Sequence, residues 1–221
     1  MSMSPLAPTA RFGIEAPARA AAAAPHQHAL AGALARLASD RHRYAHVRVR
    51  IADVGTLELD FNEQSFRYDF DRNQLPRCMH SQRYVLTAIL AHHHTPAGDT
   101  HRVGRLCDLF WIAGLASATD LPVPPDTPLK LVQWPNFPQL PHKIEHIQLC
   151  GMLSAQPMSL REIEEHSAFD SQRVRSFVHA AMVAGFLERC SETEALFAPA
   201  PRALPKRGLL SRLLDRLGLL N

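Results

Sequence analysis

Residues 159–185 read SLREIEEHSAFDSQRVRSFVHAAMVAG, and the punctuation of that run decides much of the architecture. Ser159 followed by Glu162 is a capping box, in which hydroxyl and carboxylate each satisfy a backbone amide that the first helical turn leaves orphaned. The box opens a short helix that ends near Ser167. Asp170 then caps a longer helix, with Phe169 and Val174 at the positions of a hydrophobic staple. Val174, Phe177, Val178 and Ala181 give this second helix one apolar face. Gly185 stops it, because glycine enters the left-handed terminating conformation without steric cost.

Working outward, residues 142–154 follow Pro141 and predict a further helix, with Ile144, Ile147, Cys150 and Gly151 on one side. Residues 186–190 and 195–198 predict two strands joined by a short turn that carries Glu192 and Glu194. Three helices and a hairpin in this order, within residues 142–199, resemble the winged-helix superfamily. The resemblance fixes a fold and not an activity. It implies DNA binding first, with the last helix in a major groove and Gln172, Arg175, Ser176 and His179 facing bases or phosphates. The charges oppose that use. Glu162, Glu164 and Glu165 on the middle helix, with Glu192 and Glu194 at the wing, crowd the surface a phosphate backbone would approach. A protein contact that includes Glu162 and Glu165 is therefore expected, and a DNA-binding regulator is the alternative.

The same asymmetry runs along the chain. The formal charge is +3, yet residues 1–141 carry 14 Lys+Arg against 12 Asp+Glu, residues 142–200 carry 5 against 8, and residues 201–221 carry 5 against 1. The basic surplus sits at the end of the chain, which argues against a nucleic-acid face spread over the molecule. Cys78, Cys107, Cys150 and Cys190 are widely spaced with no CxxC pair, as expected of reduced thiols in a cytoplasm. Residues 1–28 are Ala- and Pro-rich, and Arg11, Glu15 and Arg19 interrupt any signal-peptide core, so a disordered extension is expected there.

Residues 29–141 predict an α+β domain: an antiparallel β-meander covered by helices. Residues 28–39 place Leu30, Ala33, Leu34 and Leu37 on one helical face. Three alternating strands follow: Val47, Val49 and Ile51, then Leu57, Leu59 and Phe61, then Phe66, Tyr68 and Phe70. Arg48 and Arg50 are expected opposite Glu58 and Asp60 on the outer face. Helices over 81–92 and 101–116 are expected to cover the apolar face, with buried stripes Tyr84, Val85, Ala88 and Ile89, and Leu106, Leu109, Phe110 and Ala113. Residues 121–141 form a proline-dense connector containing a strand at 129–134, pinned by Trp134 and Phe137.

Residues 200–221 form a linker and tail. There Leu209, Leu210, Leu213, Leu214 and Leu217 share a helical stripe with Leu220, flanked by Arg212 and Arg216. A helix this short needs something to bury its leucines. Packing on this protein's own core or in a dimer is the first expectation, a partner's groove the second, and an anionic membrane surface the third.

No P-loop, GxGxxG or G-x-S-x-G motif is present. His142, Glu145 and His146 match the H-x-x-E-H pattern of inverted zinc proteases, which makes a zinc-dependent hydrolase a distant third reading. His92, His93 and His94 with His101, joined by Cys78, His80 or Cys107, are the other metal candidates, although consecutive helical histidines cannot converge on one ion. The expectation is a non-enzymatic regulatory or adaptor protein without a cofactor, cytoplasmic or peripheral at a membrane.

Overall fold

The computed structural model describes residues 29–89, 102–117 and 124–190. Helix α1 (Leu30–Ser39) enters first, followed by strands β1 (His46–Ile51), β2 (Gly55–Asp60) and β3 (Ser65–Tyr68). The meander forms as its alternation predicts: Val47 faces Leu59 and Val49 faces Leu57 across an antiparallel ladder, and all four are buried. On the outer side Arg48 pairs with Glu58, its Nε donating to Oε1 at 2.8 Å. Arg50 does not oppose Asp60. The register set by the tight turn puts Arg50 against Thr56 and His46 against Asp60, and the His46–Asp60 separation is 3.5 Å.

Two expected helices are corrected. After a short helix α2 (Leu75–Cys78), residues Tyr84–Ile89 form strand β4, which pairs with β1, and Arg102–Arg105 form strand β5, which pairs with β3. Val85, Thr87 and Ile89 are β-branched and Tyr84 is aromatic, and such side chains fit a pleated surface better than a helix. The result is one antiparallel sheet in the order β4-β1-β2-β3-β5. Only from Leu106 does the predicted helix start, as α3 (Leu106–Ala116).

Strand β6 (Pro128–Leu131) lies inside the proline-dense segment, followed by helix α4 (Ile144–Ala155), the two-residue strand β7 (Met158–Ser159), α5 (Leu160–His166), α6 (Ser171–Ala184) and β8 (Leu187–Arg189). Strand β6 is central to a second sheet, β7-β6-β8. The expected connector is thus part of the packing: the Val132 amide donates to the Phe186 carbonyl and the Cys190 amide to the Pro128 carbonyl. The start and stop signals act as read. The Glu162 amide donates to Ser159 Oγ at 3.3 Å, the Ser159 amide to Glu162 Oε2 at 2.7 Å, and the Arg173 amide to Asp170 Oδ1 at 2.9 Å. Gly185 has φ +76° and closes α6 through its amide.

Helix α3 joins the parts. It is apolar nearly all round, which suits only a helix buried on every side, and it contacts α1, β3, β5 and α6. Trp111, Leu109 and Ala113 of α3 are fully buried, as are Val174, Phe177, Val178 and Ala181 of α6. Leu30 through Leu187 contribute to one continuous hydrophobic cluster, so the division drawn at 141/142 runs through a shared core. Cys150 lies in that core, and burial pushes its thiol up to about 12. The mixed α+β class is as expected. The wing strand at 195–198, the tail, and the N-terminal 1–28 lie outside the described residues, and among those described no helix is long and apolar enough to cross a membrane.

The α3–α6 contact is close enough to test. A Cβ added to Gly114 would sit 2.6 Å from the Ala180 Cα, a backbone atom that cannot swing aside, whereas one added to Gly151 meets nothing within 4 Å. Gly114→Ala is expected to destabilise by about 1–3 kcal/mol through overpacking, although alanine is the better helix former. Gly151→Ala is expected to stabilise by about 0.5–1 kcal/mol. Chemical denaturation of the two variants should move the midpoint in opposite directions.

A polar cleft between two helix N-termini

Helix α4 is not seated on the face its apolar residues suggest. Ile144 is 66% exposed, while Glu145, His146, Leu149, Cys150 and Leu153 are buried. One residue of helix is about 100° of rotation, and this turn brings a carboxylate and an imidazole inward in place of isoleucine. The cause is aromatic. His146 stands edge-on to Trp111 with ring centroids 5.4 Å apart, and lies 5.9 Å from Phe177.

The His146 ring also serves the helix start. Its Nδ1 accepts the Lys143 amide at 3.3 Å, covering one orphan donor of the first turn. With that lone pair used, the neutral ring carries its proton on Nε2. Burial holds the His146 pKa below the ordinary 6.5, with Lys143 and His142 acting the same way and Glu145 opposing them. The imidazole is therefore neutral at pH 7.

Glu145 beside it is 8% exposed. Its oxygens lie 3.7 Å from Lys143 Nζ and 3.6 Å from Arg173 Nη1, and it makes no hydrogen bond. Arg173 is committed elsewhere too, its Nε lying 2.8 Å from Asp170 Oδ2. These groups, with His142, Gln172 and Ser176, line a cleft of about 620 Å³ between the starts of α4 and α6, within the size range of small-molecule sites.

The residues singled out from sequence are dispersed. Gln172 is exposed and lines the cleft. Arg175 turns toward α5, where its Nε donates to Glu164 Oε1 at 2.9 Å. His179 is a correction: it is not on an outer face but 8% exposed, with Nε2 2.8 Å from Ser117 Oγ. The face of α6 that carries it is the one packed on α3. Glu162 is exposed but spends its carboxylate on the cap, and Glu165 is exposed. Leu209, Leu210, Arg212, Leu213, Leu214, Arg216 and Leu217 lie outside the described residues, as do His92, His93, His94 and His101. His142 and His146 do line one cleft, but His142 Nδ1 donates to the Leu140 carbonyl at 2.9 Å and His146 Nδ1 is taken by Lys143. Among the described residues no three His, Cys, Asp or Glu side chains are grouped to hold a metal. Sequence reasoning noticed Glu145 and His146 for metal chemistry alone. Their spacing with Leu149, Cys150 and Leu153 (145/149/153 and 146/150) was the signal that they face inward.

The lowered His146 pKa has a definite sign in stability. Unfolding restores the ordinary value of about 6.5, so below that pH the unfolded chain takes up a proton that the folded chain refuses. Stability is then present above about pH 6.5 and falls as pH drops toward the folded pKa, by no more than about 1.4 kcal/mol per pH unit for one proton. His146→Phe keeps the ring and removes the proton. Urea unfolding at pH 7.5 and 5.5 should show a smaller acid-side loss in the variant; equal losses would mean that His146 titrates normally.

No protein-family model matches the chain, and neither a curated protein nor a solved structure matches it.

Proposed function

We propose that the protein is a non-enzymatic regulatory or adaptor protein, which holds a protein partner through an acidic winged-helix module and the amphipathic tail at 206–220. Support for the module is the order α4, α5, α6 and β8, with its capping box, aspartate cap and glycine stop. One departure is that β6, from ahead of these helices, stands between β7 and β8.

The observation that carries the contact role is the commitment of the α6 cations. Arg173 lies on Asp170 and Glu145, and Arg175 on Glu164. Nonspecific DNA affinity comes from cations that neutralise phosphates, and here each faces a carboxylate already. The helix face that includes His179 is buried as well. Protein contact has positive support from exposed apolar side chains: Val132 at 51% and Trp134 at 47% after β6, and Ile144 at 66% at the start of α4. Tryptophan is among the residues most enriched in binding hot spots. The cytoplasmic or membrane-peripheral location expected from sequence belongs to this proposal. The DNA-regulator alternative keeps Gln172 and Arg175, both exposed on α6.

Three variants test the assignment: Glu165→Lys, Trp134→Ala and a chain ending at residue 207. Glu165→Lys should unfold like the parent, since an exposed surface change of this kind shifts stability by about 0.5 kcal/mol or less. Trp134→Ala also loses an edge-on contact with Phe137 at 6.4 Å, so its folding and that of the truncated chain are checked by thermal unfolding. At least one folded variant should lose partners retained by the full chain in pull-downs from the native lysate. Retention of every partner by all three would defeat the adaptor assignment. Salt-sensitive duplex DNA binding that Arg175→Glu abolishes would establish the alternative in its place.

A further inference from the structure

We infer that two copies of this chain pair edge to edge through strand β4, antiparallel about a two-fold axis, so that their sheets become one. The inference does not rest on the adaptor assignment. β4 is an outermost strand of the five-stranded sheet, held by β1 on one side, and among the described residues no strand lies on its other side. Residues along an antiparallel ladder alternate between pairs that exchange both hydrogen bonds and pairs that exchange none. The Ala52 amide donates to the Arg83 carbonyl, which fixes the phase: Val85, Thr87 and Ile89 turn their backbone groups toward β1. The other side of β1 agrees. There the Phe61 amide donates to the Ala45 carbonyl, so Val47 and Val49 bond β2 and His46, Arg48 and Arg50 are left for β4. Leu86 and Ala88 therefore point their amides and carbonyls away from β1, along the edge of the sheet.

Such an edge accepts another strand, and natural sheets usually guard it with charged side chains, proline or a bulge. The opposite edge is guarded: β5 is short and exposes Arg102 and Arg105. β4 carries neither a charge nor a proline over Tyr84–Ile89, and it is rich in strand-forming residues. Its outer face is open too, with Val85 41% exposed and Thr87 exposed beside it. The occupant that fits is a second copy, and charge is the reason. Pairing β4 with itself brings no like charges together, and the ion pair at its start, Arg83 to Asp53 at 2.8 Å, is already neutral. Pairing β5 with itself would set arginines against arginines, which is destabilising. Self-pairing also closes: a two-fold uses the same patch twice and leaves no edge of this kind to recruit a third copy. It keeps Val85, Thr87 and Ile89 of both copies on one face. Leu86, partly buried against the core, then continues the apolar face of one sheet into the other.

The test is sedimentation velocity of the full chain from about 1 to 100 µM, with amide hydrogen exchange followed over the same range. A monomer–dimer equilibrium is expected, and exchange at Leu86 and Ala88 should slow as the dimer forms. Ala88→Pro removes an amide that points away from β1, a position where an edge strand tolerates proline. It should keep the ladder to β1 and raise the dissociation constant by about tenfold or more. Val85→Lys should act in the same direction by charging the edge, whereas Val103→Lys on β5 should leave the dimer unchanged. Thermal unfolding checks each variant; if Ala88→Pro fails to fold, Val85→Lys and the exchange of the unaltered chain decide. Three results would overturn the inference. One is a chain that stays monomeric throughout. Another is slow exchange at Leu86 and Ala88 at every concentration, which means that this same chain covers the edge. The third is a dimer that the folded β4 variants leave intact or that Val103→Lys weakens equally.

Discussion

The burial of Trp111 is the constraint from which the rest of the structure follows. Its side chain is fully enclosed, with ring centroids of Phe137, His146, Phe177 and Phe186 between 5.4 and 6.2 Å away, and its Nε1 donates to the Pro141 carbonyl at 2.9 Å. Those rings come from the proline-dense segment, α4, α6 and the residue before β8. Emptying a fully buried tryptophan site costs about 3–5 kcal/mol, a large part of the stability of a typical domain. One side chain on α3 therefore ties the sheet-bearing part of the chain to the helices after residue 141. The close approach of Gly114 to Ala180 belongs to the same contact, since only a missing side chain lets the two helices meet at that point.

What the sequence made legible was whatever local chemistry alone determines. The alternation in β1, β2 and β3, the capping box at Ser159 and Glu162, the Asp170 cap and the Gly185 stop each depend on neighbours a few residues away, and each appears in the structure where expected. Strands β4 and β5 read as helix in the sequence because their identity depends on partners β1 and β3, far off in sequence. Tyr84, Val85, Ala88 and Ile89 fit a helical stripe as well as they fit a strand, and only pairing decides between them. Strand β6 was foreseen, but not its place between β7 and β8, which no local signal encodes.

The cleft was harder to read, for a related reason. An apolar stripe is the usual guide to the inward face of a helix, and in α4 that guide points at Ile144, which is 66% exposed. The inward positions Glu145 and His146 are polar because they meet a cleft on one side and Trp111 on the other. Polar residues in the buried register are where pattern reading fails and where a site is to be sought. The H-x-x-E-H match falls on the same two inward residues, although among the described residues no three His, Cys, Asp or Glu side chains are grouped to hold a metal.

The acidic surplus after residue 142 also takes on a different meaning in three dimensions. Glu162 is held by the cap of its own helix, Glu164 by Arg175, and Glu145 lies between Lys143 and Arg173. Of the carboxylates that crowd this region in the sequence, Glu165 is the one on α5 with no ion pair or hydrogen bond to a described residue. A surface whose charges are mostly cancelled internally attracts neither a polyanion nor a polycation at long range. In the proposed partner contact, burial of Trp134, Val132 or Ile144 would contribute on the order of 25 cal/mol per Å² of apolar area removed from water. The ion pairs of α6 thus leave its arginines facing carboxylates, which is the physical ground of the proposed protein-contact role.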